Sequence, residues 1–172
     1  MNKLIFYILI FFSGNLFGQS YMDYYINNSN DTIQCYIQKN NLNTVWIKEN
    51  DIIKQFKPNE LKSFTYFGGK GTENKFVSIA GENRFFNVLI EGRINLYADA
   101  VTNLYDRSVS TKYQFLKGNQ FIPFNTLAPR KKINELISDC PSVYNDFNVL
   151  KKYKPWQIIE IVEAYNQCDK YE

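Results

Sequence analysis

The stretch FFNVLIEGRINLYA, residues 85–98, decides how the strands of this chain are arranged. Apolar side chains keep one parity on both sides of the tripeptide Glu91-Gly92-Arg93, at Phe86, Val88, Ile90, Ile94, Leu96 and Ala98. A two-residue hairpin turn would break this alignment. The stretch is therefore either one long strand that bends at Gly92, as at the corner of a barrel, or two strands joined by a three-residue loop. We favour the bent strand, because glycine within a strand often marks such a bend.

Short alternating stretches precede and follow this segment, separated by clusters of turn residues. In Asp31–Lys39, residues Ile33, Cys35 and Ile37 share one face, so we expect Cys35 to point toward the core. Residues 21–26 should pair with this strand across an asparagine-rich turn. Further strands are predicted over residues 43–48, 52–56, 61–67, 75–80, 112–116 and 120–124.

After Pro129 the apolar period changes from two to that of a helix. Apolar residues fall at i, i+3, i+4 and i+7 in the first helix, at Ile133, Leu136, Ile137 and Cys140. Pro141 ends that helix, a weaker helix is predicted over 142–153, and a third begins at Pro155 with the stripe Ile158, Ile161, Val162 and Tyr165. The sequence thus predicts an α+β fold: a curved antiparallel sheet or small barrel-like meander over 21–124, followed by two or three helices within 129–170.

The first 20 residues have the proportions of a signal peptide, with basic Lys3, an apolar run from Leu4 to Phe12, and small and polar residues after it. The run is about half of the roughly 20 apolar residues that a membrane span needs. We therefore expect residues 1–20 to be removed, leaving a single domain over 21–172 without a transmembrane span. An uncleaved N-terminal anchor is the alternative.

The net charge of the chain does not indicate a polyanionic partner. Removing Lys3 from the 20 basic residues leaves 19 against 17 acidic ones, a net charge of +2. We therefore expect no nucleic-acid partner. The basic runs at 130–132 and at 151, 152 and 154 are interpreted as solvated faces of helices, with contact to a phosphate-rich surface as the alternative.

The chain contains no histidine, which removes histidine-based catalytic triads and the usual zinc sites. We predict no metal, no cofactor and no catalytic residue. Catalysis by a pair of carboxylates is the one enzyme mechanism that remains without histidine, and Glu91 and Asp99 are the candidate residues. An ordinary solvated strand face with cross-strand ion pairs is the interpretation that we prefer for these two acids.

Aromatic residues make up 17% of the chain and suggest a second kind of site. Tyr24, Tyr36, Trp46 and Tyr66 could form an exposed platform for a glycan or a peptide, because flat rings offer contact area at little entropic cost. The alternative is that these rings fill the core of the sheet and its rim.

Two of the three cysteines, Cys140 and Cys168, are predicted on the buried sides of terminal helices. Because an exported protein can oxidise, we predict a disulfide between them, with two buried free thiols as the alternative. Cys35 would then be a small buried hydrophobic residue.

Four segments resemble exported proteins of Bacteroidota-type bacteria: Asp31-Thr32-Ile33, FFNVLIEGRINLY at 85–97, SDCP at 138–141 and IVEAYNQC at 161–168. The two C-terminal cysteines match that pattern, and Cys35 stands where the family often has glycine. The family has no assigned activity, and similar domains also precede outer-membrane β-barrels. The resemblance thus implies a location in the cell envelope, either periplasmic or associated with the outer membrane or the cell exterior.

Together these features predict a non-enzymatic binding or structural module of the cell envelope. Its partner would be another envelope protein or a surface glycan. The alternative is a histidine-free hydrolase that uses carboxylates such as Glu91 and Asp99 on an extracytoplasmic polymer.

Overall fold

The computed structural model describes residues 22–102, 109–123, 130–150 and 152–168. The predicted signal peptide lies outside these ranges, as do Tyr21, Phe124, Pro129 and Lys151. The strands of the described residues are β1 (Tyr24–Asn27), β2 (Thr32–Gln34), β3 (Tyr36–Asn41), β4 (Thr44–Glu49), β5 (Ile52–Phe56), β6 (Leu61–Phe67), β7 (Glu73–Ser78), β8 (Phe85–Ile90), β9 (Ile94–Thr102), β10 (Val109–Lys117) and β11 (Gln120–Pro123). The helices that follow are α1 (Arg130–Ile137), α2 (Pro141–Val149) and α3 (Pro155–Asn166).

The strands form two antiparallel sheets, which confirms the predicted α+β class. The larger sheet has eight strands in the order β11-β10-β9-β8-β7-β6-β1-β2, and the smaller has the order β3-β4-β5. Almost every pair of neighbours is adjacent in sequence, so the sheets are meanders. The large sheet is open, with β11 and β2 at its two edges.

The expected bent strand at Gly92 is wrong, because β8 and β9 are antiparallel neighbours joined by a three-residue loop. Val88 pairs with Tyr97 and Ile90 with Leu96, and a bulge lies between the two pairs. The bulge adds one residue to β8, so Val88 and Ile90 lie on opposite faces of the sheet despite their equal parity. Because both faces of the sheet are apolar here, the alternation of apolar residues continues through the point at which the chain reverses.

The expected single strand over 31–39 is also wrong, because the chain leaves the large sheet and enters the small one at Cys35. Asp23 holds this crossing: its carboxylate accepts hydrogen bonds from the amides of Ile37 (2.9 Å) and Phe67 (3.0 Å). The amide of Cys35 donates to the backbone carbonyl of Asp23 (3.0 Å). Cys35 is half-buried and packs with Ile33 against the core, as the alternation predicted.

Proline begins two of the three helices. Pro141 and Pro155 lie in the first turns of α2 and α3, where a missing amide hydrogen costs nothing. The predicted apolar stripes of α1 and α3 are confirmed, since each of these side chains is buried: Ile133, Leu136, Ile137, Ile158, Ile161, Val162 and Tyr165.

Two hydrophobic cores lie on one face of the large sheet. The row of cross-strand partners Phe64, Phe76, Asn87, Ala98 and Tyr113 shares that face. At one end of the row, Phe64 belongs to a core shared with the small sheet, which we call the sandwich core. At the other end, Tyr113 packs against a core formed with the helices, which we call the helix core.

Candidate functional site

The four aromatic residues predicted as a platform do not lie on one surface. Tyr36 and Trp46 lie together on the side of the small sheet that faces away from the sandwich core. Val45 and Ile47 of the same strand are fully buried, so Trp46 between them points outward. Tyr36 is 60% exposed and pairs with Lys48, which shares the outward side of β4.

The other two rings lie elsewhere. Tyr66 stacks on Phe76, with ring centroids 6.0 Å apart, and packs against the sandwich core. Tyr24 precedes the buried Tyr25 on β1 and therefore points to the opposite face of the large sheet. Tyr66 thus follows the alternative interpretation, in which the rings fill the core and its rim.

Tyr36 and Trp46 form part of a larger surface, the outer face of the small sheet. We define the outer face by its members Tyr36, Lys39, Trp46, Lys48, Ile53 and Gln55. The ammonium group of Lys39 lies 5.1 Å from the ring centroid of Trp46. Ile53 pairs with Lys48 and is 52% exposed, so an apolar side chain lies in the same row as Tyr36.

Strand β5 forms one edge of the outer face. Within the described residues it pairs only with β4, and its first residue, Ile52, is 60% exposed. Lys54 points to the inner side of the strand and donates a hydrogen bond of 2.6 Å to Glu49. That bond raises the pKa of Lys54. A charge on the inner side of an edge strand discourages indiscriminate strand pairing.

The two carboxylates considered for acid–base chemistry lie apart. Glu91 is exposed in the β8–β9 loop and pairs with Lys75 at 2.7 Å, as expected of a solvated face. Asp99 lies five residues after Ile94, the first residue of β9, and is therefore roughly 16 Å along the strand from the loop at the ordinary rise. Paired catalytic carboxylates stand about 5–10 Å apart. The structure therefore does not bring Glu91 and Asp99 together.

Asp99 differs from the expectation of an exposed acid, because it is only 2% exposed. Its Oδ2 atom pairs with Arg84 at 2.7 Å and accepts a hydrogen bond of 2.6 Å from Gln114. The guanidinium of Arg84 also lies 4.6 Å from the ring centroid of Phe86. A buried carboxylate held by a cation in this way ties β9 to β10 and to the segment that precedes β8.

Three of the segments on which the family resemblance rests meet at one place, which we call the C-terminal junction. Its members are Gly92, Arg93, Asp139, Tyr165 and Asn166. The side chain of Asn166 accepts a hydrogen bond from the amide of Ile94 (2.8 Å) and donates one to its carbonyl (2.9 Å). The last turn of α3 is thereby bound to the start of β9.

Asp139 is the centre of the charged part of the junction. Its carboxylate accepts hydrogen bonds from Lys117 (2.8 Å) and Tyr165 (2.8 Å) and pairs with Arg93 at 3.3 Å. Partial burial of Asp139 opposes ionisation, but the hydrogen bonds from Lys117 and Tyr165 lower the pKa of its carboxyl group. Burial raises the pKa of the Tyr165 hydroxyl, so the tyrosine stays protonated and acts as a donor.

A cleft of about 760 Å³ opens beside the junction. Its charged lining comprises Arg93, Lys117, Lys132 and Glu135, and Tyr165 also lines it. Because Asp139 already engages Arg93 and Lys117, these cations hold secondary-structure elements together. The alternation of apolar residues does not predict the C-terminal junction. The one indication in the sequence is that its members fall within three of the segments that carry the family resemblance.

Cys140 and Cys168 form a disulfide in the structure, with their Cα atoms 6.3 Å apart. Cys140 is the residue immediately before α2, and Cys168 follows the last residue of α3 by two positions. Both cysteines therefore lie just outside the ends of helices, although the apolar pattern predicted them within helices. The disulfide is compatible with export. Burial raises the pKa of the remaining thiol, Cys35, to about 12.

The described residues contain no group of three or more histidine, cysteine, aspartate or glutamate side chains that could hold a metal ion. Among the helices formed by those same residues, none has the length and apolarity to cross a bilayer. Comparisons of the chain with protein-family models, with curated proteins and with solved structures find no match.

Proposed function

We propose that this protein is a non-enzymatic module of the cell envelope that binds another envelope protein. The partner would lie along β5 and across the outer face of the small sheet. The signal-peptide pattern, the disulfide and the resemblance to exported Bacteroidota-type proteins support the location.

One observation carries the proposal: Ile52 and Ile53, two adjacent apolar residues, are 60% and 52% exposed on an edge strand. Large apolar side chains exposed at a sheet edge are usually removed or covered in natural proteins, because they promote association. Ile53 lies on the outer face in the same row as Tyr36, with Lys48 between them, and Ile52 lies on the opposite side of the strand.

The backbone of β5 determines the kind of partner. An extended segment can add to the open edge of a sheet through main-chain hydrogen bonds, while alternate side chains enter pockets beside it. The edge of β5 and the exposed side chains next to it provide both kinds of contact. A protein segment uses the open edge and the apolar residues, whereas a glycan would leave the backbone of β5 without a role.

The hydrolase alternative receives no support from the arrangement of the acids. Glu91 pairs with Lys75 in an exposed loop, and Asp99 is buried against Arg84. A paired acid and base would need a shared cleft with both carboxyl groups at its surface. The positions of these acids therefore favour the binding function.

Substitution of Ile53 by aspartate tests the proposal. Tagged protein would be cross-linked gently in its native cells, and each recovered envelope protein would be quantified relative to the tagged chain. A central apolar anchor contributes enough that Ile53→Asp should lower recovery of the specific partner at least about tenfold.

Leu89→Asp is the matched control, since Leu89 is also an exposed apolar strand residue but lies on the large sheet. Leu89→Asp should leave recovery unchanged. Equal recovery with both variants, or equal loss with both, would overturn the assignment of the binding surface.

A further inference from the structure

Two exposed large apolar side chains flank the connection between α2 and α3. Val149 at the end of α2 is 80% exposed, and Trp156 in the first turn of α3 is 52% exposed. Lys152 and Lys154 lie between them and are both exposed. Two apolar and two cationic side chains therefore project from one short connection.

A second basic segment is held against this connection. The guanidinium of Arg130, the first residue of α1, donates a hydrogen bond of 3.0 Å to the carbonyl of Phe147 and another to the carbonyl of Leu150. The next residue, Lys131, is exposed. The two basic runs of the sequence, about 20 residues apart, thus meet in space. We define the basic corner as Arg130, Lys131, Val149, Lys152, Lys154 and Trp156.

Aromatic side chains pack beneath the basic corner. Phe147 is buried in the helix core, and the guanidinium of Arg130 lies 4.7 Å from its ring centroid. Tyr153, within the connection, packs against Phe147, with ring centroids 5.4 Å apart. Val149 and Trp156 are therefore exposed next to residues that pack into the helix core.

Acidic residues limit the extent of the corner. Asp146 lies three residues before Val149 on α2, and Glu160 lies four residues after Trp156 on α3. A third acid, Glu135, lies four residues after Lys131 on α1, so four cations against three acids leave the corner with an excess of one positive charge. The excess favours a partner with an anionic surface.

We propose that the basic corner docks on the headgroup surface of an anionic lipid bilayer. Lysines next to a bilayer gain attraction to anionic lipids, and tryptophan is favoured at the level of the headgroups. Val149 adds apolar surface that can enter the boundary between headgroups and acyl chains. A phosphate polymer would bind the lysines, but it would not account for the exposed Val149.

This contact is separate from the proposed partner site, because the basic corner belongs to the helices and the outer face belongs to the small sheet. Each surface carries one of the two tryptophans of the chain, Trp156 and Trp46. Their fluorescence therefore reports on the two surfaces separately, once either tryptophan is replaced.

The test uses protein purified from the envelope of its native cells, with its N-terminus established by intact mass. In Trp46→Phe protein, vesicles of equal parts phosphatidylcholine and phosphatidylglycerol should shift the Trp156 emission to shorter wavelength. Vesicles of phosphatidylcholine alone should give a much smaller shift. In Trp156→Phe protein, the Trp46 emission should not respond to either vesicle.

Replacing Lys152 and Lys154 by serine should weaken binding to the anionic vesicles roughly 25-fold, since each lysine near such a surface contributes about fivefold. Lys39→Ser together with Lys48→Ser, on the outer face, is the matched control and should leave vesicle binding unchanged.

Three results would overturn the proposal. The first is an unchanged Trp156 emission wavelength with anionic vesicles. The second is an equal shift of the Trp46 emission with those vesicles, and the third is the same shift of the Trp156 emission with soluble polyphosphate. The last result would assign the corner to phosphate polymers.

Discussion

Gly92→Ala should destabilise the protein because the C-terminal junction leaves no room for a methyl group at this position. A Cβ atom at Gly92 would lie 2.4 Å from Nδ2 and 2.5 Å from Cγ of Asn166. Among the glycines that the structure describes, Gly71, Gly81 and Gly118 have positive φ and Gly92 does not, so space and not backbone conformation excludes a side chain at Gly92. Asn166 would have to leave its two hydrogen bonds to Ile94.

The magnitude follows from those two bonds, of 2.8 and 2.9 Å. Breaking a partly buried hydrogen bond costs about 1–1.5 kcal/mol, and a Gly→Ala change gives back about 0.5 kcal/mol through the unfolded chain. We therefore expect the free energy of unfolding to fall by about 2 kcal/mol. Urea unfolding followed by circular dichroism measures this change.

Two comparisons make the test specific. Gly69→Ala is the matched control, since a Cβ at Gly69 meets nothing within 4 Å, and it should change stability by less than about 0.5 kcal/mol. In an Asn166→Ala background, Gly92→Ala should cost almost nothing. A cost that is the same with and without the Asn166 side chain would refute the proposed close approach.

Three further changes test other parts of the structure. Replacing Cys140 and Cys168 by serine opens a loop of 28 residues and should cost about 3.5 kcal/mol of unfolding free energy; an unchanged urea midpoint would contradict the disulfide. The Cys35 thiol should react slowly with iodoacetamide at pH 8 because its pKa is raised to about 12, and labelling at the rate of a free cysteine would show that it is exposed. Arg84→Ala should cost about 3 kcal/mol in thermal or urea unfolding because it leaves Asp99 buried without its cation, and a loss below 1 kcal/mol would contradict that burial.

The local elements of the fold could be predicted from the sequence where a single periodicity held between clear breaks. Strands β5 and β6 were predicted with their observed bounds, because Pro58-Asn59 and a glycine cluster flank them. The stripes of α1 and α3 were predictable because a helix buries one side against a sheet, so its apolar residues keep a period of 3.6.

The connections between strands were not predictable in the same way. Phe86 and Ile90 have equal parity, yet Phe86 contacts Phe121 on one face and Ile90 packs against the helix core on the other. Where both faces of a sheet are apolar, alternation cannot reveal a reversal or a bulge. At Cys35 the alternation likewise continues through the crossing between two sheets.

The sites depended on contacts between distant parts of the chain. Arg93 and Asp139 are 46 residues apart, and Ile94 and Asn166 are 72 apart. No local pattern encodes such pairs. The outer face could be predicted in part. The alternation placed Tyr36 and Trp46 correctly on strands, but no alternation could show that Tyr66 belongs to a different sheet.

Photo-cross-linking in native cells tests the central claim, that the outer face binds an envelope protein, most directly. The photoreactive residue p-benzoylphenylalanine would replace Ile53, Tyr36 or Leu89 in separate strains, and adducts would be resolved by mass. The account predicts an adduct of one partner from positions 53 and 36 and none from position 89. Equal adducts from all three positions, or none from positions 53 and 36, would contradict it.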